Sequence, residues 1–158
     1  MELWSVVAFL MFLAVLKGVK FVPQQQVWVV ERMGRYRTSM EAGLNFLIPF
    51  IDNISYRHSL KEEAVDIPSQ TAITKDNVTL IIDGILYLKI TDPKQASYGV
   101  GDARYAITQM AQTTMRSELG KMTLDRTFLE RDNLNVSIVQ SINEASVVWG
   151  IQCLRYEI

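Results

Sequence analysis

At 158 residues the chain can hold one domain with its own core, or one domain plus an appendage. Its 49% apolar and 21% charged content is that of a folded protein and excludes a disordered one. Residues 23–158 carry 14 basic and 16 acidic side chains without a basic run, so the electrostatic footprint of a nucleic-acid binder is missing and that class is set aside.

The first 22 residues are charged only at Glu2, Lys17 and Lys20. Leu3 to Leu16 is an uncharged run of about 21 Å as a helix, and continuing to Val22 brings it to about 30 Å, the thickness of a hydrocarbon core. A secretory signal peptide fits poorly, because Glu2 precedes the run and the lysines follow it. A segment dipping into one leaflet competes with a single spanning anchor, and the length to Val22 favours the anchor over residues 1–22. Its lipid-facing side chains are Leu3, Trp4, Val6, Val7, Phe9, Leu10, Phe12, Leu13, Val15, Leu16 and Phe21. The cations Lys17, Lys20, Arg32, Arg35 and Arg37 beyond it predict a folded domain, residues 23–158, on the cytoplasmic side.

Pro23 closes the anchor. Val27-Trp28-Val29-Val30 reads as a strand, with a turn at Met33-Gly34-Arg35 into a second strand near Tyr36. Ala42 to Ile51 is apolar but broken by Gly43 and Pro49, so it cannot be a regular helix. It is either a buried loop capping the core or an edge resting on the bilayer. In the second case Leu44, Phe46, Leu47, Ile48 and Phe50 make the contact.

Glu62–Ile67 and Gln70–Thr74 read as strands separated by Pro68-Ser69. Val78 to Thr91 is the clearest strand. Val78, Leu80, Ile82, Leu86, Leu88 and Ile90 share one face, and Gly84 is a candidate bulge. From Ala103 the period becomes helical through Ile107, Met110/Ala111, Met115, Leu119 and Met122. Thr123 is an N-cap candidate, and Leu134, Ile138, Ile142 and Ala145 stripe a further helix that stops near Trp149-Gly150. Ile151 to Ile158 reads as a strand. Strands grouped ahead of helices predict an α+β fold, an antiparallel sheet with helices packed on it.

No catalytic constellation emerges. Cys153 stands alone, excluding an internal disulfide or CxxC site, and the single histidine, His58, excludes a His-rich metal centre. Glu62 and Glu63 point to opposite faces of a strand, and His58 beside Ser59 lacks triad context. No phosphate-cradling glycine loop is present. The expectation is a non-enzyme with no cofactor or metal.

Several segments resemble the SPFH (band 7; stomatin/prohibitin) family. They are Phe21-Val22-Pro23-Gln24-Gln25 with Trp28 to Arg35, Gly43-Leu44-Asn45 to Pro49, Asp66 to Gln70, Lys75 to Val78, Asp83 to Tyr87, Ala111 to Gly120, Trp149-Gly150-Ile151 and Leu154 to Ile158. The resemblance runs from about residue 20 to the end and is nearest the stomatin-like protein 2 (paraslipin) branch, with its bacterial QmcA-like members. It implies a membrane scaffold that homo-oligomerises into rings or cages and organises lipid microdomains. The implied partners are membrane lipid, NfeD-type proteins and membrane proteases. It also implies a coiled-coil region after the SPFH domain and, from the short N-terminus, a bacterial inner membrane. The alternative is a small stoichiometric adaptor of a membrane protease or transporter.

Overall fold

The computed structural model describes residues 1–158 and divides into two units, Met1–Lys61 and Glu62–Ile158.

The first unit begins with α1 (Glu2–Gly18), apolar on every side. β1 (Val19–Val22) follows without a break and pairs antiparallel with β4 (Gly43–Phe46). β2 (Gln26–Arg32), β3 (Arg35–Met40) and β5 (Asp52–Ser59) form a second antiparallel sheet in the order β3-β2-β5. The β2–β3 hairpin closes through Met33 and Gly34, both at positive φ (52° and 80°), as the right-handed twist of paired strands favours. Val22, Val30 and Met40 form this unit's core, with Trp28, Leu47 and Ile54 packed against it.

The expected helical anchor over 1–22 is corrected here. The helix is 17 residues long and ends at Gly18, about 25 Å, and no helix of the structure is long and apolar enough to cross a membrane. Val19 to Val22 alternates Val-Lys-Phe-Val with two β-branched residues, a period that suits the edge of a sheet better than another helical turn.

In the second unit β6 (Glu63–Ile73), β7 (Thr79–Ile90) and β8 (Ile151–Glu157) form an antiparallel sheet in that order. Between β7 and β8 come α2 (Pro93–Tyr98), α3 (Ala103–Gly120), α4 (Leu124–Leu129) and α5 (Arg131–Ser146). Ile67, Leu86 and Leu88 of the sheet meet Ile107, Ala111, Met115 and Leu119 of α3 and Leu134, Ile138 and Ile142 of α5 in one core. The α+β architecture is as the sequence predicts.

Three details differ. The two strands expected around Pro68-Ser69 are one strand with a register shift there, where the Gln112 side chain donates to the Pro68 carbonyl at 3.3 Å. Gly84 does mark a bulge, but the extra residue lies on β6: the register shifts just after the Ile67–Gly84 pair, and a Cβ on Gly84 would lie 2.5 Å from the Tyr156 hydroxyl. Along α5 the buried position is Ser146 rather than Ala145, because the Ser146 hydroxyl donates to the Ile151 carbonyl at 3.2 Å. Ser146 is one of three α5 side chains that occupy the backbone of β8 and of the residue that follows it. Asn143 both accepts from the Cys153 N–H (2.7 Å) and donates to its carbonyl (2.9 Å), and Asn135 accepts from the Ile158 N–H.

Candidate membrane-contacting surface

Every apolar side chain assigned to the anchor is exposed along α1, from Leu3 (77%) and Trp4 (79%) through Val6, Val7, Phe9, Leu10, Phe12, Leu13 and Val15 to Leu16. Each such side chain left in water forgoes about 1.5–3 kcal/mol of burial, which makes this helix a candidate for contact with an apolar partner or a lipid surface.

The ribbon of β1 and β4 continues this surface. Phe21 stands opposite Leu44 and Val19 opposite Phe46, so these four share one face, and Phe21, Leu44 and Phe46 are exposed on it. Lys20, Val22 and Asn45 alternate to the other face, where Val22 joins the core. Beyond β4 the chain turns through Pro49-Phe50-Ile51. Phe50 is 96% exposed and held at φ 72°, a conformation that bulky side chains avoid. A strained aromatic displayed at a turn tip is an outlier of the kind found at binding sites.

Of the loop residues singled out from sequence, Leu44, Phe46, Ile48 and Phe50 face outward, and Leu47 turns in against Val22, Val30 and Met40. The Leu47 N–H donates to the Gly18 carbonyl at 2.7 Å, and a Cβ on Gly18 would fall 2.4 Å from the Leu47 oxygen. Gly18 thus lets the end of α1 lie against the loop at backbone contact.

Asp52 fixes the other end of the loop. Its carboxylate accepts from Arg32 Nε at 2.7 Å and from the Ile48 N–H at 3.1 Å and pairs with Arg37, while its own N–H donates to the Ile48 carbonyl. The Arg32 hydrogen bond, with help from the Ile48 N–H and the charge of Arg37, lowers the Asp52 pKa to about 2. In an unfolded chain an aspartate titrates near 3.9. The cluster's stabilisation is therefore complete above about pH 4 and lost as pH falls toward about 2. Hydrogen exchange across residues 44–52 is expected to accelerate over that window, and Asp52→Asn should bring the faster exchange to neutral pH. The substitution should cost on the order of 1 kcal/mol, because both guanidiniums are more than a third exposed and solvent-screened. Unchanged protection in Asp52→Asn would remove the carboxylate from this role.

Leu16, Lys17, Lys20, Leu47, Asn53 and Arg57 are among the residues around a cleft of about 580 Å³ between the end of α1, the loop and β5. The Arg57 guanidinium lies over the Trp28 ring, 4.6 Å from its centre.

The residues considered for chemistry are dispersed. His58 is half-buried on β5, its ring stacked at 6.2 Å on Tyr56, and burial lowers its pKa. Cys153 is buried in the second unit, where desolvation pushes its thiol up to about 12, so it stays protonated at neutral pH. Glu63 is paired with Arg104. Sequence reading missed Asp52, Arg32 and Arg37 as a cluster. They are brought together by β2, β3 and β5, and the only available signal was the isolated charge of Asp52 after an apolar run.

The family model described as SPFH domain / Band 7 family matches residues 20–158. Stomatin-like protein 2, mitochondrial, of Homo sapiens is 64% identical over 140 residues, which is 89% of this chain and 39% of the relative. The stomatin-like protein stl-1 of Caenorhabditis elegans is 59% identical over 140 residues, 89% of this chain and 43% of its own. An uncharacterized protein of Mycobacterium tuberculosis is 38% identical over 161 residues, 96% of this chain and 42% of its own. The chain spans about two-fifths of the length of these curated relatives.

Proposed function

The chain belongs to the SPFH domain / band 7 family, and on that premise we propose that it is a non-enzymatic scaffold seated on a membrane. Residues 1–22 supply the anchoring segment and the remainder the SPFH domain. The supporting observation is the set of exposed apolar side chains in the first unit, along α1, on the Phe21, Leu44 and Phe46 face of the β1–β4 ribbon, and at Phe50. In this reading α1 embeds in the hydrocarbon without needing to traverse it, and the β1–β4 ribbon and the Phe50 turn rest in the interface. For a helix that does not cross, Lys17, Lys20 and the arginines act by attraction to an anionic leaflet such as the cytoplasmic face of a bacterial inner membrane. Copies of the chain assemble on that surface into closed rings or cages that organise lipid and membrane-protein complexes, with NfeD-type proteins or membrane proteases as clients.

Contact by the loop is tested with Phe50→Cys carrying an environment-sensitive dye, the buried Cys153 being protected from labelling. Emission should shift to the blue and gain several-fold intensity on adding vesicles. Unchanged emission would detach the loop from the membrane. Assembly is tested by measuring particle mass after reconstitution into lipid nanodiscs or detergent. Multi-copy particles support the scaffold, whereas single copies that pair one-to-one with a client favour the adaptor.

A further inference from the structure

We propose that the cleft at the end of α1 is a binding site for a phosphate ester, occupied by the headgroup phosphate of an anionic phospholipid. The class of ligand follows from the lining. Lys17, Lys20 and Arg57 bring three positive charges to one cavity. None of the three cations is held in an ion pair. The one carboxylate on the wall, Asp52, is already committed to Arg32, Arg37 and the Ile48 N–H, so it does not neutralise the cleft. Arg57 is oriented by its stacking on Trp28, which reduces the ordering cost of binding. The volume, about 580 Å³, exceeds what a bare phosphate needs and suits a phosphate with attached carbon.

The source of the phosphate follows from what borders it. Leu16 and Phe50, which share the cleft wall, belong to the exposed apolar surface. A lipid seated there would place its phosphate among the cations and its first acyl carbons against that surface. This choice of occupant rests on the membrane reading above; the affinity for phosphate esters does not.

The test is vesicle flotation of the full chain with neutral vesicles and with vesicles containing about 30% anionic lipid, beside titration with soluble glycerol phosphate. Each cation near an anionic surface is worth roughly fivefold in partitioning. Lys20→Gln/Arg57→Gln should therefore lose roughly 30-fold in binding to anionic vesicles and nothing to neutral ones. Lys61→Gln/Lys75→Gln removes the same charge from exposed positions outside the cleft and should lose no more than a fewfold. Equal losses from both pairs would overturn the site in favour of diffuse attraction. A cleft pair that floats as the wild type does but no longer binds millimolar glycerol phosphate would keep the site and assign it to a soluble ester. Wild type that floats with neither vesicle would sink the membrane reading, and the soluble titration would then decide the cleft by itself: a cleft-dependent signal supports it and no signal removes it.

Discussion

Gly150→Val is expected to unfold the second unit. Gly150 connects the short turn after α5 to β8 at φ +64°, where a side chain carries about 1–3 kcal/mol of strain. Its carbonyl accepts the N–H groups of Thr91 and Asp92, at 2.8 and 3.0 Å, which binds the end of β7 to the start of β8. A Cβ would lie 2.3 Å from the Asp92 carbonyl oxygen and 2.8 Å from its Cβ. The backbone there cannot yield freely, because the Asp92 side chain caps α2 through Lys94 and Gln95. Strain and overlap together should exceed about 3 kcal/mol, a large part of a domain's stability. Gly150→Ala carries the same Cβ overlap and the same strained φ, and should destabilise the unit nearly as much. A Gly150→Val protein melting within a degree or two of wild type would mean that β7 and β8 are not joined in this way.

The second large effect concerns attachment. Phe9→Asp/Phe12→Asp should release the chain from vesicles, because each aspartate inside the hydrocarbon costs about 2.5–3.5 kcal/mol and each lost phenylalanine adds to that. Both positions are exposed on α1, so the folded units should keep their circular dichroism. In a flotation gradient the wild type should rise with lipid and the variant should stay at the bottom. A variant that still floats would place the principal contact on the β1–β4 ribbon and the Phe50 turn, and α1 outside the lipid.

What sequence could reveal followed the reach of the forces involved. β7 was legible because alternation over a dozen residues is a local signal, and α3 because Ile107, Ala111, Met115 and Leu119 recur at helical spacing. β5 was missed. Its buried and exposed positions do not alternate cleanly, and it exists because β2 supplies its ladder. The end of α1 was misjudged because summed apolarity to Val22 was weighed above the change of period after Gly18, where β1 finds a partner more than twenty residues away. For the candidate surface, apolar punctuated sequence identified the loop, and the structure separated outward Phe46 and Phe50 from inward Leu47. The charged groups beneath and beside it were not legible. Asp52 meets Arg32 and Arg37 across 20 and 15 residues, and Lys17 meets Arg57 only around a cavity that folding creates.

The side chains of α5 that occupy β8 bear on how many copies could ever join. Every free strand edge presents both N–H and C=O groups, and head-to-tail extension of a sheet consumes its two opposite edges. Here Asn143 and Ser146 have taken backbone groups of β8 and Asn135 the Ile158 N–H just beyond it, while β6 forms the opposite rim. Joining rim to rim through β6 would satisfy both partners at once and stop at two. Head-to-tail extension into a closed ring or a fibre therefore cannot run through the two rims of this sheet. The same seal guards this edge of the sheet against runaway strand addition.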